Sequence, residues 1–448
     1  MKKATLTLTL LSQVLSANII TLYSDPLTGQ IFSTPAEGRV KMGDFMSVDS
    51  TNVIPKIDPI ADLRDPKPQD LQNSTPKVAS KANTLEFSGV HYFGFSSARA
   101  KNSTNYADDS SGFESRRNYL QVKGYLSEKD YFRVTLDATK ALGSNTSYAD
   151  VFIKYAYLYF DEILPHTSVE FGVAHRPWID YEEHNSWFYR SFNRVAIEGK
   201  ASTTGSGVDL LNSADLGVNF KIKRDAFSSE IGLFNGEGYH ADKGGANQKN
   251  DEKLSLEWRL SGHIIGSGKD VGKQDPLKSS YAHLSTFGLL SKNHKDDSKT
   301  LDQTSPIPLK SEYDRTIFGL HTVYNEPSFL LAIQILKAKD KARNRKTSTN
   351  WGEREYDLLS INAEYRVLQD YSVVGRYDEY KLKDKLNDGS PMDSSVRGKK
   401  YIAALVYKYS QYVKFIASAK FIDEEFLHSS KDSGESKDVY MFTTEVKW

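Results

Sequence analysis

The chain has 448 residues, with 58 basic and 58 acidic side chains and no cysteine. Zero net charge gives no sign of a nucleic-acid partner, and the lack of cysteine excludes a disulfide framework and a thiolate metal site. The polar average composition does not exclude a membrane protein made of strands, because such strands show apolar residues to lipid only at every second position. The 26 tyrosines and 22 phenylalanines favour strands and the aromatic girdles of a barrel.

The N-terminal part of the chain differs in composition from the rest. It begins with two lysines, a short apolar stretch and small residues before Asn18, which predicts a secretory signal peptide over residues 1–17. Residues 18–83 are predicted to form a periplasmic extension, a small hairpin followed by a proline-rich linker. Residues 84–448 are predicted to form one barrel domain.

After residue 84, apolar and polar residues alternate along a series of segments. The last segment places on one face Tyr440, Phe442, Thr444, Val446 and Trp448. Since strand side chains have a period of two, one face of such a segment would meet lipid and the other water. Each segment is about 10 residues long, the length of a tilted membrane-spanning strand. A strand of a soluble sandwich alternates in the same way, so the connections between segments must decide.

The connections alternate between short turns and long polar loops. Long loops fall near residues 100–112, 141–148, 180–207, 238–252, 293–313, 338–353, 381–397 and 424–437. Eight long loops indicate eight hairpins, so the predicted fold class is all-β: a 16-stranded antiparallel transmembrane β-barrel with short periplasmic turns and long extracellular loops. A barrel of this size encloses an aqueous channel. One short-side connection, residues 266–278, is longer than this plan expects.

Four segments carry a resemblance to a known family. They are SRRNYLQVKG at 115–124, YFRVTLD at 131–137, VEFGVAHRP at 169–177 and GLFNGEG at 232–238. Over about residues 84–238 the chain resembles the phosphate-selective outer-membrane porins of the porin O and P type. This resemblance implies the general bacterial porin architecture, a homotrimer in which the third extracellular loop of each barrel folds into the pore. The phosphate-binding side chains of that family cannot be placed on this sequence, so phosphate selectivity is not inferred.

Charged residues alternate onto the face predicted to line the lumen. The predicted pore-lining residues are Arg117, Lys123, Arg133, Lys154, Arg259 and Arg376. Acidic residues on the same faces, such as Glu230 and Glu257, nearly balance the basic ones, which predicts cross-strand ion pairs along the wall. Because charged side chains in a pore set ionic selectivity, the basic residues of the early strands favour anions.

The third long loop, about residues 180–207, is rich in aromatic residues that an exposed loop would not favour. We therefore predict that it folds into the barrel and constricts the pore. The predicted constriction residues are Arg176, Asp180, Glu182, Glu183, His184, Arg190 and Arg194. Alternatively, the aromatic residues pack between outer loops or at a subunit contact.

The cluster of Asp180, Glu182, Glu183 and His184 is the one group that resembles a metal or acid-base site. Metal and acid-base sites need burial and fixed geometry, which a loop in a water-filled mouth does not provide well. We therefore expect no catalytic residue, metal or cofactor. The predicted function is a porin of the bacterial outer membrane for passive diffusion of small hydrophilic solutes or inorganic ions, leaning towards anions. The alternative is an outer-membrane barrel that acts as a surface adhesin, a receptor or a cell-wall anchor.

Overall fold

The structure is a computed structural model. It describes residues 19–24, 31–32, 40–46, 80–101, 109–140, 150–198, 208–236, 238, 254–295, 312–342, 351–386, 388–391, 395–427 and 435–448. The predicted signal peptide and nearly all of the predicted linker lie outside these residues. The chain divides into two compact units, Met1–Ala79 and Ser80–Trp448.

The first unit contains a three-stranded antiparallel sheet. Its strands are β1 (Ile19–Ser24), β2 (Ile31–Phe32) and β3 (Val40–Met46), in the order β2-β1-β3. The pairing of β1 with β2 has the register of the expected hairpin, with Tyr23 opposite Phe32. The third strand, β3, was not predicted, because its Gly43 and Asp44 are uncommon in strands.

The second unit is a closed barrel of sixteen strands. These strands are β4 (Leu85–Ala100), β5 (Ser110–Tyr125), β6 (Tyr131–Lys140), β7 (Asp150–Leu164), β8 (Thr167–His175), β9 (Ala214–Lys223), β10 (Phe227–Phe234), β11 (Ser255–Ile265), β12 (Tyr281–Lys295), β13 (Glu312–Glu326), β14 (Phe329–Ala342), β15 (Trp351–Leu368), β16 (Tyr371–Leu386), β17 (Val396–Lys408), β18 (Val413–Phe426) and β19 (Glu435–Lys447). Neighbours in sequence pair antiparallel, and β19 closes the barrel on β4 with Lys447 opposite Val90. The backbone groups of Trp448 and Gly89 exchange hydrogen bonds at 2.9 and 3.1 Å. The predicted 16-stranded antiparallel transmembrane barrel is confirmed.

The outer surface of the barrel is apolar. Large apolar side chains point outward from nearly every strand, as Phe171, Leu405 and Phe442 do, with half or more of their surface exposed. A transmembrane barrel presents such an apolar band to lipid. Its closure also leaves no strand edge, and so no unpaired backbone group, in the hydrocarbon. Within the part of the chain that the structure describes, no helix is long and apolar enough to cross a membrane.

The inner surface is only partly polar, which the sequence analysis did not expect. On β12 to β18 the buried inward-facing residues include Phe287, Leu289, Ile317, Leu336, Leu358, Ile402 and Ile416. Apolar residues on a lumen wall need a cover that excludes water. The third long loop provides that cover.

Candidate functional site: the barrel lumen and its inward-folded loop

The loop between β8 and β9 covers residues 176–213, of which 199–207 lie outside the described part. It contains the helix α1 (Ile179–Asn185) and a short 3-10 helix, Ala196–Glu198. Buried apolar residues of the loop form one cluster with the inward-facing residues of β12 to β18: Trp178, Ile179, Tyr181, Trp187, Tyr189, Phe192, Val195, Ala196 and Ile197. The loop therefore lies inside the barrel and fills one side of the lumen.

Direct contacts hold α1 to the wall. The indole of Trp178 stacks on the ring of Phe287, with centroids 3.7 Å apart and planes 7° apart. The Tyr181 hydroxyl lies 2.8 Å from Nδ1 of His283. A stacked aromatic pair and a buried hydrogen bond each add to the stabilisation that comes from burying apolar surface.

Lumen-facing cations bind the backbone of the loop farther along. The Arg376 guanidinium lies over the Trp187 ring at 4.7 Å and donates to the Arg194 carbonyl at 2.9 Å. Lys420 donates to the Phe192 carbonyl at 2.6 Å. Both carbonyls lie in a segment without regular helix or strand. The two side chains supply hydrogen-bond donors to these buried backbone acceptors.

Glu182 is buried between α1 and the wall. One of its carboxyl oxygens accepts hydrogen bonds from Trp178 Nε1 and Gln334 Nε2, both at 2.9 Å. Burial raises the pKa of Glu182 to about 7, because the charged form loses its hydration there. This residue therefore contributes to loop attachment and does not face the open lumen.

The loop leaves a cavity along the opposite wall, on the side of β4 to β8. Its volume is 830 Å³. This wall contributes Tyr92, Tyr119, Lys123, Arg133, Lys154, Tyr155, Tyr157, Glu170 and His175, and the adjacent β9 contributes Lys221. The loop contributes Asp180, Glu183, His184 and Arg190. The cavity reaches the short-turn rim, where residues such as Asp370 and Lys408 border it.

Two basic residues of the cavity wall, Arg133 and Lys154, are held among tyrosines. Arg133 donates to the Tyr157 hydroxyl at 3.1 Å and lies 4.8 Å from the centre of the Tyr155 ring. Lys154 donates to the Tyr119 hydroxyl at 3.1 Å and lies 4.3 Å from the centre of that ring. Within the described residues, Arg133 has no carboxylate at ion-pair distance.

A β-bulge explains why Lys154 and Tyr155 both line the cavity although they are adjacent in sequence. Thr135 of β6 pairs with Tyr155, whereas the next residue, Leu136, pairs with Ile153. Lys154 is the extra residue, so it escapes the strict alternation of faces.

The loop side of the cavity carries paired charges. Burial alone would raise the pKa of Asp180, but His175 and His184, at 3.6 and 3.3 Å, hold it well below its usual range. The Asp180 carboxylate raises the pKa of His184 to about 9, so this histidine is charged at neutral pH. Arg190 pairs with Glu183 and with Glu198, and its Nη2 donates to Glu198 Oε1 at 2.7 Å.

Seven of the predicted site residues border the cavity: Lys123, Arg133, Lys154, Asp180, Glu183, His184 and Arg190. The other six do not: Arg117, Arg176, Glu182, Arg194, Arg259 and Arg376.

Ion pairing and the loop explain most of these exceptions. Arg176 is buried and donates to Glu257 at 2.6 Å, while Arg259 pairs with Glu230 at 3.0 Å beneath the Tyr181 ring. The predicted cross-strand ion pairs are thus confirmed.

Arg117 pairs with Asp137 on the adjacent strand. Arg194 is half-buried, Arg376 lies on the wall behind the loop, and Glu182 lies on the side of the loop that meets the wall. Arg117, Arg259 and Arg376 lie on the inner face, as the alternation predicts, but not every inner-face position borders the cavity.

The sequence analysis missed the tyrosines and His175 of the cavity wall. A signal for them exists on β7, where Tyr155, Tyr157 and Tyr159 occur at every second position. Among the described residues, no group of three or more histidine, cysteine, aspartate or glutamate side chains is arranged to hold a metal ion.

Comparisons with known proteins place the fold among outer-membrane barrels. No protein-family model matches the chain, and no curated protein sequence does. The anion-selective porin of Comamonas acidovorans superposes with a TM-score of 0.55 at 12% identity, over 82% of this chain and 99% of the porin.

Two further solved structures are similar. OmpT, an outer-membrane protein of Vibrio cholerae, has a TM-score of 0.52 at 12% identity, over 83% of this chain and 99% of OmpT. OprB of Pseudomonas putida has a TM-score of 0.51 at 7% identity, over 82% and 94%. The chain therefore shares the barrel fold of these outer-membrane proteins.

Proposed function

We propose that this protein is an outer-membrane porin, a water-filled channel for the passive diffusion of small hydrophilic solutes and inorganic ions. The observation that carries the proposal is the charged cavity between the inward-folded loop and the wall of β4 to β8. A barrel filled by side chains would leave no such space, and a plug would cover both walls. Here the loop packs apolar residues on one wall and leaves a space along the other, which Asp180, Glu183, His184 and Arg190 border from the loop side.

The charges on the two sides of this cavity favour a selective pore. The wall carries Arg133, Lys154, Glu170 and Lys221, and the loop carries Asp180, Glu183, His184 and Arg190. Opposed charges across a narrow aqueous passage create a transverse field that sorts solutes by charge and size. We propose a preference for anions, because the carboxylates of the loop are paired with His184 and Arg190, while Arg133 is held by neutral partners.

The resemblance to the phosphate-selective porins makes phosphate one anion worth testing. The Comamonas acidovorans structure is described as an anion-selective porin. Its low identity to this chain supports the shared fold alone, so the anion preference proposed here depends on the wall charges.

The proposal is tested by the reversal potential of the reconstituted protein in a potassium chloride gradient. We expect steady channels whose reversal potential indicates chloride preference, and a shift towards cations in Arg133→Gln. Lys337→Gln is the matched control, since Lys337 points outward from β14 with 87% of its side chain exposed. A barrel without steady current would contradict the proposal and agree with the adhesin, receptor or anchor alternative.

We propose further that the mature protein lies in the bacterial outer membrane as a homotrimer, with residues 18–83 in the periplasm after removal of residues 1–17. One of the OmpT structures that superposes on this chain is a trimer form. N-terminal sequencing of the membrane-extracted protein tests the cleavage site. Native gel electrophoresis before and after heating tests the trimer.

A further inference from the structure

The connection between β11 and β12, residues 266–280, is the one short-side connection that is too long for a simple turn. We call it the mouth segment. It contains one 3-10 helix, Gly268–Asp270, capped by the Ser267 side chain. A turn between antiparallel strands needs only about two to five residues, so the extra length requires another explanation.

The mouth segment begins by packing against the neighbouring turn between β9 and β10. The Gly268 amide donates to the Asp225 carbonyl at 2.9 Å. A side chain at Gly268 would clash, because its first carbon would lie 2.3 Å from the Arg224 carbonyl oxygen. Lys223 donates to the Val271 carbonyl at 2.9 Å. This close backbone approach fixes where the segment starts.

The middle of the mouth segment turns into the barrel. Val271 is buried and belongs to the same apolar cluster as Trp178 and Ile179 of the inward-folded loop. The two connections therefore approach one cluster from the two rims of the barrel. In a turn that lay on the protein surface, this valine would be exposed to solvent.

The far end of the mouth segment is bound by inward-facing side chains of other strands. Asn325 of β13 donates to the carbonyls of Pro276 and Ser279, at 3.0 and 2.6 Å. Arg366 of β15 donates to the Pro276 carbonyl at 3.2 Å and is itself held by Glu364. Both Asn325 and Arg366 are buried, so these hydrogen bonds hold the segment firmly across the short-turn mouth.

The mouth segment borders the same cavity as the inward-folded loop. Gly272, Asp275, Pro276 and Leu277 line it from this end. Gly272 has a φ of +78°, and no atom lies within 4 Å of the position that its side chain would take. Across the mouth, the cavity is bordered by Lys408, Lys414, Lys447 and Glu445, whose carboxylate lies 3.5 Å from Lys414 and 3.0 Å from Lys447.

We propose that the mouth segment forms a second constriction at the short-turn end of the pore, in series with the one at the inward-folded loop. Solutes would pass between the Gly272 to Leu277 stretch and the lysines of the opposite wall. This inference rests on the proposed porin function and adds to it a second element that determines which solutes pass. Asp275 and the three lysines would give this end its own charge selection.

The absence of cysteine from the chain allows a direct test with single-cysteine variants. Leu277→Cys places a thiol at the cavity, and Lys269→Cys is the matched control, because Lys269 lies in the same segment but pairs with Asp225 away from the cavity. Each channel is recorded before and after modification with a sulfonate-bearing and with a trimethylammonium-bearing methanethiosulfonate reagent.

We expect both reagents to cause a lasting partial loss of conductance in Leu277→Cys and none in Lys269→Cys. The sulfonate should move the reversal potential towards cations and the trimethylammonium group towards anions. If the unmodified protein conducts, mass spectrometry shows complete labelling and the Leu277→Cys current is unchanged, only the second constriction is refuted. If the unmodified protein carries no current, the porin function itself fails.

Discussion

Replacement of Trp178 by alanine removes the contact that holds the start of α1 to the barrel wall. This indole is only 2% exposed, stacks on Phe287 and donates to Glu182. Truncating a buried tryptophan to alanine costs about 3–5 kcal/mol. Since every 1.4 kcal/mol changes an equilibrium about tenfold, the ratio of docked to released loop should fall by about a hundredfold or more.

Two assays follow the loop in Trp178→Ala. In single-channel recordings we expect frequent excursions above the conductance of the parent protein, because a released loop no longer narrows the lumen. In detergent we expect faster tryptic cleavage after Arg190, whose guanidinium is bound to Glu183 and Glu198 when the loop is docked. Phe171→Ala is the control, since this aromatic residue of β8 points outward and is 60% exposed. Equal current noise and equal cleavage in both variants and the parent would refute the assignment of Trp178 as an anchor.

Three other predictions concern the loop charge, barrel closure and barrel stability. Because the pKa of Glu182 is raised in the folded protein, its protonated carboxyl group favours folding at low pH. This stabilisation is fully present below the pKa that Glu182 has in the unfolded chain, and it is lost as pH rises through about 7. Glu182→Gln should therefore remove a fall of a few degrees in melting temperature between about pH 5 and about pH 9, and an unchanged fall would contradict this. Deletion of residues 440–448 should abolish the folded barrel, because β4 would lose its partner in lipid; normal membrane insertion of the truncated chain would show that closure occurs elsewhere. Heating the detergent-extracted protein should shift its gel mobility as the barrel opens, and a mobility that is the same before and after heating would argue against a closed barrel.

Local patterns in the sequence were enough to predict the barrel. Alternation assigned Phe442 to the outer face and Glu445 to the inner face, and the structure has both there. The alternation of short and long connections predicted the strand number. These features are local, since each strand pairs with its neighbour in sequence.

The local pattern does not determine which inner-face residues border the cavity, because this depends on which wall the loop covers. Arg133 and Arg259 have equivalent positions in the alternation, yet one borders the cavity and the other lies beneath Tyr181. Only long-range packing between the loop and inward apolar residues such as Phe287 separates them. The bulge at Lys154 and the inward turn of the mouth segment are likewise set by tertiary contacts that the local pattern does not contain.

The single-channel conductance of the parent protein, compared with that of a variant that lacks residues 187–194, tests the central claim most directly. Trp187, Tyr189 and Phe192 of this segment belong to the apolar cluster that the loop forms with the inner wall of β12 to β18, and Arg190 borders the cavity. If the cavity is the permeation path and the loop narrows it, the parent should form steady channels and the variant should conduct more. Equal conductance in the two proteins would contradict the constriction, and a parent that carries no current would contradict the pore.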